Sequence, residues 1–228
     1  MLKRAVEDII GPLSDVAQKN APGVLYLEGD EALLHAGVRV CIIGTRKPSE
    51  LGRSYARLLA EFLVENRVTV VSGLAMGIDT EAHVAAIDRG GRTIAVLGTP
   101  LDRVNPPSNA DLQREIGAHH LLVTQFAPNS QVRPSNFPQR NRTMALLSDA
   151  TIIVEARSET SGTLHQGWEA LRLGRPLFIM QALVNSGLKW PKRMLDYGAV
   201  PITLPSENDS ALYEMLPLNL GPSEQPAL

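Results

Sequence analysis

The chain has 228 residues, 44% of them apolar, which is enough for a sizeable core in one large domain. A formal net charge of −2 excludes a global attraction to polyanions, so any nucleic-acid site must be a local cluster of Arg and Lys. One cysteine, Cys41, excludes an intrachain disulfide and, with scattered histidines, a zinc site; no apolar run suits a signal peptide or a membrane span. The expectation is a cytoplasmic protein without membrane contact, metal or cofactor.

Residues 2–19 place Val6, Ile9, Ile10, Leu13 and Val16 near a 3.6-residue period, which predicts a helix. A short strand is expected at Val24–Leu27. From residue 38 onward come VRVCIIG, VTVVSG, RTIAVLG, HLLVTQ, ATIIVEA and RPLFIM. These runs are apolar at successive positions, as strands buried on both faces of a parallel sheet are. Helical stretches at 55–66, 78–89, 110–117, 143–147 and 164–173 alternate with them. The alternation predicts an α/β doubly wound, mostly parallel sheet with helices on both faces. We expect an N-terminal helical and strand extension over 1–37 and a core over 38–204. A C-terminal helix and flexible tail are expected over 205–228, where prolines recur.

Several strands end in small or polar residues: Gly44-Thr45-Arg46, Ser72-Gly73, Gly98-Thr99, and Glu155 through Gly162. In open α/β sheets, ligands bind outside such carboxyl ends. Singly these are tight strand-to-helix turns; as a set they favour a phosphate-lined crevice. The first turn is not GxGxxG, and Ser72 stands where a ribose-binding acid would, which weakens NAD and FAD. No GxxxxGK[ST] occurs. Arg46 and Lys47 instead offer charge beside a helix N-terminus.

From Ile116 to Ser148 there is no Asp or Glu, while Arg133, Arg140, Arg142, Asn129, Asn136, Asn141 and Phe137 occur there. Such a segment suits a single strand, with cations along the phosphates and a ring stacking a base. The alternative is a solvated loop with Phe137 in the core. Asp79 and His83, one helical turn apart, are read as fixing a turn rather than as catalysts. Glu155 is read equally as a ligand contact or as a structural hydrogen bond to a nearby turn. Cys41, inside an apolar strand, is read as a buried, inert thiol.

Several longer motifs stand in order. They are Gly44-Thr45-Arg46, Ser72-Gly73-Leu74-Ala75-Met76-Gly77-Ile78-Asp79 with Ala82-His83, and Thr93-Ile94-Ala95-Val96-Leu97-Gly98 with Leu101-Asp102. Phe137-Pro138-Gln139-Arg140-Asn141-Arg142, Ile153-Val154-Glu155-Ala156 and Ser161-Gly162-Thr163-Leu164 follow. In content and spacing this pattern resembles the DprA/Smf family of DNA-processing proteins, from about residue 20 to 180. The resemblance implies a Rossmann-like core that binds single-stranded DNA without sequence preference. It implies phosphate or nucleic-acid contacts at Arg46, Phe137, Arg140, Arg142, Ser161, Gly162 and Thr163, to which the strand-end turns and the low-acid segment add Gly44, Thr45, Lys47, Ser72, Gly73, Arg133 and Asn136. It also implies a homodimer through the C-terminal side of the core, where Trp190, Met194, Leu195 and Tyr197 either form the interface or simply cover the sheet. A contact with a RecA-type recombinase belongs to the same expectation. The resemblance takes in neither the N-terminal helical module nor the C-terminal winged helix of many members, which leaves the recombinase and the pathway open.

No enzymatic activity is expected. The related phosphoribohydrolases carry a PGGxGTxxE signature, and Gln166 stands at the position of its glutamate; an amide is no general base. A nucleotide-ligand sensor and an antitoxin-like protein-interaction module remain as alternatives on the same fold.

Overall fold

The computed structural model describes residues 1–204. A nine-stranded sheet runs through the molecule in the order β1-β2-β6-β5-β4-β3-β7-β8-β9. Its centre is six parallel strands: β3 (Arg39–Ile43), β4 (Thr69–Ser72), β5 (Thr93–Leu97), β6 (Leu121–Thr124), β7 (Ala150–Ile153) and β8 (Leu177–Met180). Every residue of β4 through β8 is buried, which explains why these segments are apolar at successive positions rather than alternating. One side is extended by β9 (Val200–Ile202), parallel to β8. The other is extended by β2 (Val24–Gly29), antiparallel to β6, and then by β1 (Leu2–Ala5).

The connecting helices are α3 (Glu50–Glu65), α4 (Ile78–Asp88), α5 (Ala110–His119), α6 (Asn136–Leu147) and α7 (Gly162–Arg172). From β3 the strand order runs outward one way to β6, and from β7 it runs the other way. Right-handed crossovers therefore put α3 and α4 on one face and α7 on the other. Serine caps start two of them: Ser49 accepts from Gly52 N–H for α3, and Ser161 from Leu164 N–H for α7. No helix among the described residues is long and apolar enough to cross a membrane.

The single helix expected over residues 2–19 is not formed. Its first residues make β1, followed by two short helices, α1 (Val6–Ile10) and α2 (Asp15–Gln18). Gly11, at φ 75°, and Pro12 interrupt the period between them. In the other direction, α6 begins seven residues before the expected 143. Pro138 lies in its first turn, where a missing N–H costs nothing. Two further short helices, α8 (Gln181–Val184) and α9 (Lys189–Asp196), lead into β9. The helix and tail expected over 205–228 lie outside the described residues.

Candidate nucleic-acid interface

The strand order reverses between β3 and β7, and this is where adjacent crossovers part and leave a crevice beyond the carboxyl ends. A cavity of about 450 Å³ occupies that place, lined by Gly44, Thr45, Arg46, Asp79, Phe137, Arg140, Asn141, Thr163 and Gln166 among others. It continues into an open groove of about 680 Å³ walled by Asn105, Val132, Arg133, Pro134, Thr160 and His165. Arg46, Phe137, Pro138, Ser161 and Gly162 border both.

The crevice is built from the ends of β3 and β7. Thr45 N–H donates to the Glu155 carbonyl at 2.8 Å, and Ile78 N–H donates to the Thr45 carbonyl at 3.2 Å. The Glu155 carboxylate accepts from Ser49 N–H at 3.0 Å and from Ser49 Oγ at 2.9 Å, fastening the end of β7 to the start of α3. That answers the open question about Glu155: its carboxylate serves the turn.

At the mouth, Arg46 is exposed and forms no ion pair among the described residues. Its guanidinium carbon lies 5.8 Å from the centroid of the half-buried Phe137 ring, a cation–π arrangement. Phe137 rests on Gly98 at the end of β5, where any Cβ would meet the ring. Lys47 and Arg133 are likewise exposed and form no ion pair among the described residues; the Arg133 guanidinium donates to Gln131 Oε1 at 3.4 Å.

Other expected contacts turn out to be framework. Arg140 is only 6% exposed, and its Nη1 donates to the carbonyls of Gly73 at 2.6 Å and Val96 at 3.0 Å. Through Nη1 it joins the ends of β4 and β5. Burial pushes its pKa down, an effect opposed by the nearby Asp79. Gly73 must be glycine because a Cβ would collide with that guanidinium. Ser72 is buried, and its Oγ donates to the Ile42 carbonyl at 2.6 Å. Asn136 is buried at the start of α6. Arg142 pairs with Glu169 of α7 at 3.2 Å, and Glu169 also holds Arg172. Ser72, Arg140 and Arg142 thus each have a protein partner of their own.

Asp79 Oδ2 accepts from the N–H groups of Gly73 and Ala75 at 3.2 and 3.4 Å, so it fixes the β4–α4 turn as expected. Burial raises its pKa, with Arg140 and the two N–H groups pulling the other way. His83 is fully buried and Nδ1 lies 2.6 Å from Thr93 Oγ1. Cys41 is buried, which pushes its thiol pKa up and leaves it unreactive. Gln166 is buried between α7 and α6, its Nε2 donating to the Asn141 carbonyl and its Oε1 accepting from Ala145 N–H.

Among the groove walls, Asn105, Val132 and Pro134 were not singled out from the sequence, whereas Arg157, Ser158 and Thr160 lie inside the Glu155-to-Gly162 stretch expected at the crevice.

The sequence profile of the DNA recombination-mediator protein A family matches residues 11–210. The chain belongs to this family. It is 39% identical over 169 residues to the DNA processing protein DprA of Streptococcus pneumoniae, covering 74% of this chain and 59% of that one. The chain thus spans about three fifths of that relative's length. The X-ray structure of the Streptococcus pneumoniae protein superposes with a TM-score of 0.77 at 33% identity, over 89% of this chain and 71% of the other. A structure of DNA processing protein A from Helicobacter pylori, described for its single-stranded DNA binding mode, gives 0.75 at 28% identity, over 89% and 91%. The family membership and the doubly wound fold expected from the motifs are both shown.

Trp190 and Met194 are corrected as interface residues. They are 5% and 0% exposed and belong to the core, because α9 turns them inward onto α7 and α8. On the outer side stand Leu195, half-buried, and Tyr197, 60% exposed. The Tyr197 ring meets Trp168 edge-on at 5.1 Å, and Arg193 lies over Trp168 at 5.9 Å.

Proposed function

We propose that this chain binds single-stranded DNA without sequence preference, the strand following the open groove and crossing the mouth of the inner crevice. One observation carries the reading: Arg46, exposed and without an acidic partner, stands over Phe137 at the junction of groove and crevice. Lys47 and Arg133 continue the positive edge, and the start of α7 adds backbone N–H groups that the Ser161 cap leaves free. Cations along phosphates with a ring for an unpaired base suit a single strand, whereas a duplex keeps its bases stacked inside. The binding mode described for the Helicobacter pylori relative supports the same reading.

The proposal includes a core over residues 38–204, pairing of two copies through the outer side of α9, a RecA-type recombinase as partner, and a cytoplasmic location. It includes no catalytic step, since the Gln166 amide is committed to α6. The inner cavity of about 450 Å³ has room for a free nucleotide as a second ligand class. Fluorescence anisotropy with labelled single-stranded oligonucleotides, duplexes and mononucleotides at one salt concentration tests both readings. Mixed-sequence single strands are expected to bind most tightly. Equal affinity for duplex overturns the first reading, and mononucleotide binding without oligonucleotide binding establishes the second.

A further inference from the structure

One wall of the crevice and groove is the segment between β7 and α7, residues 154–161, through Ala156, Arg157, Ser158, Thr160 and Ser161. Its beginning is held by β3, with Val154 N–H donating to the Ile43 carbonyl at 3.0 Å. The stretch Arg157–Thr160 is exposed throughout. Within it, Ser158 Oγ bonds Thr160 and Arg157 bonds Glu155, both local contacts. Among the described residues, its hydrogen bonds to a distant element all go to the start of α9. Trp190 Nε1 donates to the Ser158 carbonyl at 3.2 Å, and Lys189 N–H donates to Glu159 Oε1 at 2.9 Å.

The start of α9 is firm. Trp190 is buried, and Met194, one turn on, is fully buried against Gly167 of α7. No side chain caps α9 from its own N-cap residue, Leu188; Glu159, 30 residues earlier, supplies the carboxylate that its first N–H needs. Glu159 matters for charge as well. It is an acid on a wall that faces a polyanion under the proposed function, yet it lines neither cavity, although its neighbours Ser158 and Thr160 do.

We propose that Trp190 and the backbone N–H of Lys189 are positioning groups for DNA binding. They hold the 157–160 wall in place and keep the Glu159 carboxylate turned onto the α9 N-terminus, away from the strand. The proposal rests on the DNA-binding reading above. Neither group touches the crevice, so neither acts as a phosphate contact.

Lys189→Pro removes the single N–H in question. Proline is tolerated at the first helical position, and Leu188, at φ −65° and ψ 144°, has the extended backbone that a following proline requires. Lys189→Ala keeps the N–H and controls for the lost side chain. Trp190→Phe removes the indole donor and keeps a ring in the core. Lys189→Pro and Trp190→Phe should each weaken binding about fivefold, the net worth of one hydrogen bond, while Lys189→Ala stays near wild type. Because no phosphate contact is lost, the dependence of affinity on salt should keep its slope. Glu159→Gln added to Lys189→Pro should recover part of the loss, since no released carboxylate then faces the strand. A purely structural role predicts a lowered melting temperature, unchanged affinity of the folded protein and no such recovery.

Limited trypsin digestion reads the anchorage without DNA: cleavage after the exposed Arg157 should accelerate in Lys189→Pro and Trp190→Phe, not in Lys189→Ala. Folded variants with wild-type affinity and wild-type cleavage overturn the inference. A wild type that fails to bind DNA overturns the proposed function instead, while faster cleavage in the variants would still support the anchorage.

Discussion

Arg140 Nη1 donates to the Gly73 carbonyl at 2.6 Å from inside the protein, at the floor of the crevice rather than on its rim. Its two carbonyl acceptors lie on neighbouring strand ends, so this arginine closes the sheet where backbone pairing stops. Truncation leaves both carbonyls and the buried Asp79 carboxylate without their cation. Arg140→Ala should cost on the order of 3 kcal/mol of stability, read as a lower midpoint in urea. A variant with a wild-type midpoint and reduced DNA affinity would return Arg140 to the strand-contacting set.

Arg46 and Phe137 should separate by their salt dependence. Arg46→Ala removes an exposed charge whose contact within the fold is the ring of Phe137, so melting should change little. The slope of log affinity against log salt should shrink by about 0.7, the mark of one phosphate lost on a single strand. Phe137→Ala should leave that slope alone and weaken binding by roughly 1–3 kcal/mol, as expected for one stacked base. Titrations at several salt concentrations check both, and identical slopes for wild type and Arg46→Ala would remove Arg46 from the phosphate track.

Acid should destabilise the protein through His83. Burial lowers the pKa of its ring to about 3, against about 6.5 in an unfolded chain. Between these values the unfolded chain takes up a proton that the folded one refuses, so unfolding gains on acidification. The contribution is fully present above about pH 6.5 and is lost as pH falls toward 3. His83→Gln, which keeps a polar side chain near Thr93 but no titrating ring, should flatten the stability profile across this window. A variant profile as steep as wild type would assign the acid sensitivity elsewhere.

Pairing of two copies is testable only from the outer side of α9, because Met194→Glu would place a charge in the core. Tyr197→Ser with Asp196→Arg, both at exposed positions, should leave the fold intact and convert a dimer to a monomer in light scattering. It should also weaken binding of long strands more than short ones, since paired grooves share one strand. A wild type that is monomeric at tens of micromolar ends this proposal.

The sequence by itself determined the fold and the position of the crevice. Strands buried on both faces must be apolar at every position, and that pattern is readable without coordinates. Motifs such as Ser72-Gly73 through Asp79 carry their own local geometry, so their turns were legible too. At residues 2–19 apolar spacing misled, because Gly11 and Pro12 break the helix that the period suggests. Only the tertiary structure decided which arginines are free. Arg46, Arg140 and Arg142 look alike in one dimension. One is exposed at a strand end, one is buried under two carbonyls, and one is paired with a glutamate on the next helix. Likewise the α9 residues that look like a surface stripe are divided between core and solvent by the helix they pack on. Charge and exposure are properties of neighbours brought together across tens of residues, and no local pattern in the chain records them.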